Sequence, residues 1–324
     1  MQMNKREFLG LGAAAGAALA LPVWAQGKPL FDTLNMFVPA APGGGWDGTA
    51  RAIERAAKAA GLVGNMAFEN VAGAGGMVGL PRYVNQRKGQ GNSLMVGGSV
   101  MVGAAIANKS PVTMRNVTPI ARLTEEAGVV AVPAGGKIKT WKDLEAAIKA
   151  GPKAVSVAGG SAGGTDHVLL GLIIKALGRN PRDAAYVAFS GGGPANAALL
   201  GGQVVAGISG YSEFEEQIKA GRLVPLAVSG NRRIPGVDVP TLSELGVRVT
   251  AANWRGVFAP PGINAAQRDL LVDFMSKVHA SEPWRKELET RKWTDVFLVA
   301  QSFEREIEAN IRDTEEVMKD LGLA

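Results

Sequence analysis

The sequence contains no cysteine among its 324 residues. That absence excludes disulfide bonds, cysteine nucleophiles, thiolate zinc sites and iron–sulfur clusters. Histidine is also scarce, with two residues, and no His-Glu-x-x-His motif or EF-hand loop is present. We therefore expect no metal and no cofactor. A chain of this length without cross-links must take its stability from a large hydrophobic core, which 47% apolar residues can supply.

The sequence also lacks the signs of nucleic-acid binding. Lysine and arginine exceed aspartate and glutamate by 35 to 29, for a formal net charge of +6. No run of basic residues or interleaved aromatic stripe accompanies this excess, so we expect no nucleic-acid partner. A modest positive charge favours solubility and some attraction for acidic solutes.

No apolar stretch near the N-terminus is long enough to span a membrane, which takes about 20 residues. Residues 10–21 instead follow the basic pair Lys5-Arg6 and precede small residues that end at Ala25. This order is typical of an export signal, so we expect residues 1–26 to be a signal peptide cleaved near Ala25. A lysine replaces the first arginine of a twin-arginine motif, which leaves the Tat and Sec export routes both open.

Glycine, by contrast, is abundant at 43 residues and clusters after apolar runs. Three times an apolar run leads into a glycine turn and then a helical pattern, with the turns at residues 43–48, 159–164 and 190–194. A helix N-terminus exposes backbone N–H groups and partial positive charge, which suits it to hold a small anion. The turns lack dinucleotide and P-loop spacing, so nucleotide binding is not favoured.

The alternation of strands and helices predicts an α/β fold with parallel sheets covered on both faces. Two extended stretches, near Glu125 and near Val228, are candidate crossings between lobes. We expect an export segment at 1–26, a first lobe of 27–125 plus 229–324, and a second lobe of 126–228. Ligands of such sheets lie outside the carboxyl ends of the strands, where the glycine turns occur.

One motif offers an enzymatic alternative, because Gly159-Gly-Ser-Ala-Gly163 matches the G-x-S-x-G nucleophile elbow of hydrolases. An exported serine hydrolase using Ser161 would need a histidine base. His167 follows at the start of the next helix, and His279 lies inside an amphipathic helix, so neither is well placed. His167 fits equally as a ligand donor or as a packed ring.

Two further residues each have two possible roles. Asp47 could bind a ligand or act as a helix N-cap. Arg255, beside Trp254, could reach a carboxylate or lie exposed on a rim.

The order and spacing of several segments resemble the extracytoplasmic solute receptors of tripartite tricarboxylate transporters, the TctC-like or Bug family. The segments that carry the resemblance span nearly all of the mature chain: Val38–Asp47, Glu69–Gly79, Gly160–His167, Tyr186–Ala195, Leu199–Val204, Ala220–Val228 and Val239–Gly246. The chain departs from the usual family pattern at Trp46, at Phe189-Ser190 and at Ser209–Tyr211, positions expected to choose the ligand.

The resemblance implies a type II periplasmic-binding-protein fold, with two α/β lobes and a ligand cleft between them. It implies a periplasmic, monomeric receptor, not an enzyme, that captures a di- or tricarboxylate or an aromatic carboxylate. The receptor would deliver this ligand to membrane transporter subunits, although a sensory role stays open.

The resemblance also implies a set of ligand-binding residues. The loops at 42–47 and 161–167 would hold the carboxylate, and the other positions would shape the rest of the cleft. The expected set is Pro42, Gly43, Gly44, Gly45, Trp46, Asp47, Gly98, Ser99, Ser161, Gly164, Thr165, Asp166, His167, Gly191, Gly192, Gly193, Ser209, Gly210, Tyr211, Trp254 and Arg255.

Overall fold

The computed structural model describes residues 28–324. The expected signal peptide and its cleavage position therefore lie outside the described residues. Among the residues that are described, no helix combines the length and the apolar content needed to cross a membrane.

Lobe 1 is a sheet with helices packed on it. Its strands, in order across the sheet, are β2 (Val63–Asn70), β1 (Phe31–Val38), β3 (Ser93–Gly98), β9 (Ala252–Ala259), the first part of β4 (Thr118–Pro133) and β10 (Thr294–Val299). The first three strands are parallel, and β9 and β10 are antiparallel to their neighbours. The helices are α1 (Gly45–Ala59), α2 (Gly79–Gln86), α3 (Ser99–Ala107), α8 (Ala265–Ala280), α9 (Glu282–Arg291) and α10 (Ala300–Leu321).

Lobe 2 continues the same sheet through the second part of β4. That part pairs with β8 (Leu223–Val228) and β7 (Ala206–Gly210), and β7 leads on to β5 (Ser156–Gly159) and β6 (Ala185–Ala188). The helices are α4 (Trp141–Ala150), α5 (Thr165–Ala176), α6 (Gly192–Leu200) and α7 (Tyr211–Lys219). Because β5, β6 and β7 are parallel, the turns that follow them face the same side. The predicted α/β fold with two lobes is confirmed.

Local sequence signals set several helix ends. The Thr140 hydroxyl accepts from the Asp143 N–H, and the Asp143 carboxylate accepts from the Thr140 N–H, which together form a capping box at the start of α4. The interpretation of Asp47 as an N-cap is wrong, because Gly44 occupies that position of α1. Residues 241–245 form a turn closed by mutual hydrogen bonds between Thr241 and Glu244.

The packing of residues 234–249 bears on where the chain crosses back from lobe 2 to lobe 1. Ile234 and Val239 pack with Val228 in one lobe 2 cluster, and residues 242–249 supply Leu242, Val247 and Val249 to the other. Strand β8, which ends at Val228 and was predicted to lead the chain back to lobe 1, pairs with β4 inside lobe 2. We therefore propose that lobe 2 comprises residues 127–251 and that the chain returns at the start of β9.

A buried ion pair lies at the crossing. The Arg255 guanidinium on β9 approaches the Glu126 carboxylate on β4, with 2.7 Å between Nη2 and Oε2, and both side chains are almost fully buried. The other Glu126 oxygen accepts from the Ser212 backbone N–H at 2.8 Å and from the Ser212 hydroxyl at 2.6 Å. The first turn of α7 is thereby tied to the strands that join the lobes.

We expect Glu126→Ala to lower the free energy of unfolding by about 3–5 kcal/mol, because it leaves the Arg255 charge buried without a partner. Urea denaturation followed by circular dichroism measures this loss. The matched control is Glu125→Ala, which removes a more exposed carboxylate paired with Arg122 and should cost less than about 1 kcal/mol. Equal losses in the two variants would contradict the importance of the buried pair.

Candidate functional site

The three glycine turns predicted from the sequence meet in one cleft between the lobes. The cleft encloses about 670 Å³, part of it open to solvent. Its walls are formed by both lobes, and the residues that line it are Pro39, Ala40, Gly44, Gly45, Trp46, Gly73, Ala74, Gly75, Gly76, Val100, Gly160, Ser161, Asp166, Ser190, Gly191, Gly192, Glu213, Asn253 and Arg255.

The first corner is the start of α1 in lobe 1. Gly44 and Gly45 line the cleft with Trp46, whose side chain is otherwise buried. Asp47 instead holds the turn, since its carboxylate accepts from the Gly43 N–H at 3.1 Å and from the Asn70 amide at 3.0 Å. Asp47 therefore stabilises the loop through these hydrogen bonds, while backbone atoms of the glycines face the cleft.

The second corner is the loop before α5 in lobe 2. Ser161 and Asp166 line the cleft, and the Gly160 N–H donates to Asp166 Oδ2 at 2.8 Å. His167 is not among the lining residues. Its Nδ1 accepts from the Gly163 N–H at 3.2 Å and its ring stacks on Tyr186 with 4.2 Å between centroids. Burial lowers the pKa of His167, so the imidazole is a neutral, packed ring.

The geometry around Ser161 does not form a nucleophile and base. The acceptor nitrogen of His167 is occupied by the Gly163 N–H. His279 lies in α8 of lobe 1, where its ring stacks on Phe297 and its Nε2 lies 2.9 Å from an Asp295 oxygen. Within residues 28–324, Ser161 makes no hydrogen bond to either histidine.

The third corner is the start of α6, where Ser190, Gly191 and Gly192 line the cleft. Gly191 has a φ of +140°, a conformation that favours glycine. The neighbouring Glu213 on α7 also lines the cleft, and its carboxylate accepts from the Ser209 hydroxyl at 2.6 Å. A Cβ on Gly192 would lie 2.5 Å from Ser209 Oγ and 2.6 Å from Glu213 Cδ, so the start of α6 packs directly on both side chains.

Arg255 enters the cleft from the strand that joins the lobes. Its Nη2 pairs with Glu126, but its Nε and Nη1 are buried and have no hydrogen-bond partner. The Asn253 amide oxygen, two residues away and also lining the cleft, is buried without a partner as well. A Cβ on Gly45 would lie 2.7 Å from Arg255 Nη2, so any larger residue at this position would have to displace the guanidinium.

Burial and neighbouring carboxylates raise the pKa values of the two acids that line the cleft. The pKa of Asp166 is raised to about 7, mainly by burial; the hydrogen bond from Gly160 opposes this rise, Glu213 and Glu126 add to it, and Arg255 opposes it. Burial also raises the pKa of Glu213, while Arg255 lowers it and Glu126 raises it. In residues 28–324, no cluster of three or more acids and histidines is placed to hold a metal ion.

Eight of the expected site residues line the cleft: Gly44, Gly45, Trp46, Ser161, Asp166, Gly191, Gly192 and Arg255. The structure does not bring the other thirteen to its surface: Pro42, Gly43, Asp47, Gly98, Ser99, Gly164, Thr165, His167, Gly193, Ser209, Gly210, Tyr211 and Trp254. A ligand-binding role for any of these residues stays a prediction.

Several residues outside the cleft have structural partners. The Trp254 indole packs edge-to-face on Phe303 and donates to the Asn310 side chain at 3.1 Å. Tyr211 is 4% exposed in the lobe 2 core. The Ser99 hydroxyl accepts from the Trp254 N–H at 2.9 Å, which ties α3 to β9.

Part of the cleft wall was not predicted from the sequence. Residues 73–76 form a fourth glycine turn that lines the cleft, and Gly73, Gly75 and Gly76 all have positive φ. Its glycine pattern was visible in the sequence. Glu213 and Asn253 carried no such signal, because an acid in the first turn of a helix and an asparagine in a strand are ordinary.

A second, more open depression lies at the opposite end of lobe 2, where the parallel strands begin. Pro133, Val155 and Leu200 are among its lining residues. None of the glycine corners faces it, so we take the cleft between the lobes as the functional site.

Two α/β lobes joined by shared strands, with helix N-termini converging on the cleft between them, define the class of periplasmic solute-binding proteins. The family model described as the tripartite tricarboxylate transporter family receptor, TctC, matches residues 50–323. Protein BugT of Bordetella pertussis (strain Tohama I) is 30% identical over 254 residues, which cover 76% of each chain.

Solved structures agree with this relationship. The periplasmic binding protein BugD has a TM-score of 0.80 at 23% identity, covering 91% of this chain and 99% of BugD. MatC from Rhodopseudomonas palustris with bound malate has a TM-score of 0.75 at 26% identity, covering 89% of this chain and 99% of MatC. The chain belongs to the TctC family of tripartite tricarboxylate transporter receptors. Members of this family are solute-binding receptors, so the chain is not an enzyme and the hydrolase alternative is set aside.

We expect Gly192→Ala to destabilise the protein by about 1–3 kcal/mol, because its Cβ would overlap Ser209 and Glu213 and force both to move. Gly193→Ala is the matched control on the same helix turn, since a Cβ there meets nothing within 4 Å. Chemical denaturation of both variants measures the difference. If the two variants are equally stable, Gly192 does not pack as described.

We expect Asp166 to contribute a fall in the stability of the unliganded protein as pH rises from about 4 to about 7. Its folded pKa is about 7 and its unfolded pKa is near 3.9, so the folded state binds more protons in that window. Asp166→Asn should flatten this fall in unfolding free energy measured across the pH range, whereas the exposed control Asp269→Asn should not. Parallel profiles for Asp166→Asn and the unsubstituted protein would argue against the raised pKa.

Proposed function

We propose that the cleft captures a small organic carboxylate, a di- or tricarboxylate or an aromatic carboxylate, for a tripartite tricarboxylate transporter. The observation that carries this proposal is Arg255, buried in the cleft wall with Nε and Nη1 unpartnered. A buried donor without a partner is costly, and a carboxylate matches the planar fork of a guanidinium. A bound carboxylate would therefore complete a site that the fold leaves unsatisfied.

The helix N-termini add to this preference for an anion. The starts of α1 and α6 present backbone N–H groups and partial positive charge to the cleft from opposite lobes. Each hydrogen bond from such a donor to a charged group contributes about 1.5–3 kcal/mol. The bound malate of the related MatC supports the same ligand class.

The two-lobed wall supports a closing motion on binding. A ligand held by α1 of lobe 1 and by α6 of lobe 2 makes contacts with both lobes only when they are together. It therefore binds the closed form better and shifts the population towards it. We propose further that a mature, monomeric receptor cleaved near Ala25 acts in the periplasm and presents this closed form to membrane subunits.

We expect some carboxylates, and not neutral sugars or simple cations, to raise the melting temperature in a thermal-shift screen. A ligand at about 100 times its Kd adds about 2.7 kcal/mol of stability. Arg255→Lys should weaken the best carboxylate by at least about tenfold, since it removes the fork but keeps the charge. The exposed control Arg115→Lys should bind normally. Stabilisation only by uncharged ligands, or unchanged affinity in Arg255→Lys, would contradict the proposal.

A further inference from the structure

The cleft wall contains two carboxylate side chains, which are not expected in a site that binds a simple anion. Its lining includes three charged side chains, Asp166, Glu213 and Arg255. The Arg255 charge is already matched by Glu126, at 2.7 Å. The remaining two carboxylates therefore have no cation of their own among the residues that line the cleft.

The two acids are held in fixed positions with acceptor capacity to spare. Asp166 accepts from the Gly160 N–H, and Glu213 accepts from the Ser209 hydroxyl and from the Gly45 backbone. A carboxylate has about four acceptor positions, so each acid keeps lone pairs for a donor in the cleft. The buried Asn253 amide oxygen, which has no partner, adds another acceptor to the same wall.

Donors and acceptors thus share one small space. Arg255 offers two unpartnered N–H nitrogens, and the helix starts offer backbone N–H groups, while the acids and Asn253 can only accept. A ligand that is negative throughout satisfies the donors and meets repulsion from the acids. A ligand with one negative and one positive end satisfies both sets.

We propose that the preferred ligand is zwitterionic: a carboxylate that also carries a primary ammonium group. Its carboxylate would lie against Arg255 and the helix N-termini, and its ammonium would lie against Asp166 and Glu213. This inference rests on the proposed function of the cleft, and it makes Asp166 and Glu213 the residues that choose among carboxylates.

Matched pairs of probes test the inference by isothermal titration calorimetry. Succinate is compared with aspartate, glutarate with glutamate, and adipate with 2-aminoadipate, so that each pair differs by one amino group. We expect the amino member of the best pair to bind at least about tenfold more tightly near pH 8. Its affinity should fall towards about pH 5.5, as Asp166, whose pKa is raised to about 7, gains a proton.

Substitutions locate the effect in the cleft. Asp166→Asn and Glu213→Gln keep the hydrogen bonds from Gly160 and Ser209 possible, and each should reduce the preference for the amino compound several-fold. Glu216→Gln is the control, because Glu216 is an exposed acid on the same helix as Glu213 and should leave the preference unchanged. Two different acids are tested, so poor folding of one variant leaves the other informative.

The outcomes separate this inference from the proposed function. Tighter binding of the unsubstituted acids, with affinity rising at low pH, would mean that the cleft acids bind dianions in their protonated form and would overturn the inference alone. An unchanged preference in both Asp166→Asn and Glu213→Gln would also overturn it. Failure of every carboxylate to bind would overturn the proposed function together with it.

Discussion

The cleft depends on one buried positive charge, that of the Arg255 guanidinium. Burying a guanidinium is unfavourable unless it is paired, and Glu126 supplies the pair at the strand crossing. The Ser212 N–H and hydroxyl hold Glu126 in turn, so the same network fixes the start of α7 beside the hinge. Only Nη2 of the Arg255 fork approaches Glu126, and Nε and Nη1 stay buried without a hydrogen-bond partner.

Glycine has two separate uses in this architecture. At the starts of α1 and α6 it leaves backbone groups facing the cleft. Elsewhere it lets chain segments touch: a Cβ on Gly98 would lie 2.1 Å from the Trp254 carbonyl oxygen, and one on Gly103 would lie 2.1 Å from that of Gly163. The second contact joins α3 of lobe 1 to the loop before α5 of lobe 2. Composition alone could not separate these uses, because both produce the same local pattern.

The alternation of strands and helices was sufficient to predict the two-lobed α/β fold, since it follows from local periodicity. Helix α9 and strand β10 were not predicted from the sequence, because a proline such as Pro283 is typical of a turn. Proline is instead compatible with the first turn of a helix, where its missing N–H has no intrahelical role. The boundary predicted near Val228 differs from the one we propose, because nothing local in the sequence shows that residues 234–249 pack onto lobe 2.

The residues of the candidate site also form two groups, those that the local sequence could identify and those that it could not. Glycine corners such as Gly44-Gly45 were recognisable because their chemistry lies in the local backbone. The roles of Glu213 and Asn253 depend on segments far apart in the chain, so no spacing revealed them. Trp254 and Tyr211 were expected to touch the ligand, but the structure buries both, as large aromatic side chains usually are when a core is available.

The way in which β4 and β9 run between the lobes has a mechanical consequence. The two crossings are hydrogen-bonded neighbours, with Glu126 opposite Asn253 and Ala127 opposite Ala252. Because hydrogen-bonded strands bend and twist together, we expect a rotation of one lobe relative to the other to take place about these strands, beside Arg255. A rotation that opens the cleft would then also separate the ligand from the residues that bind it.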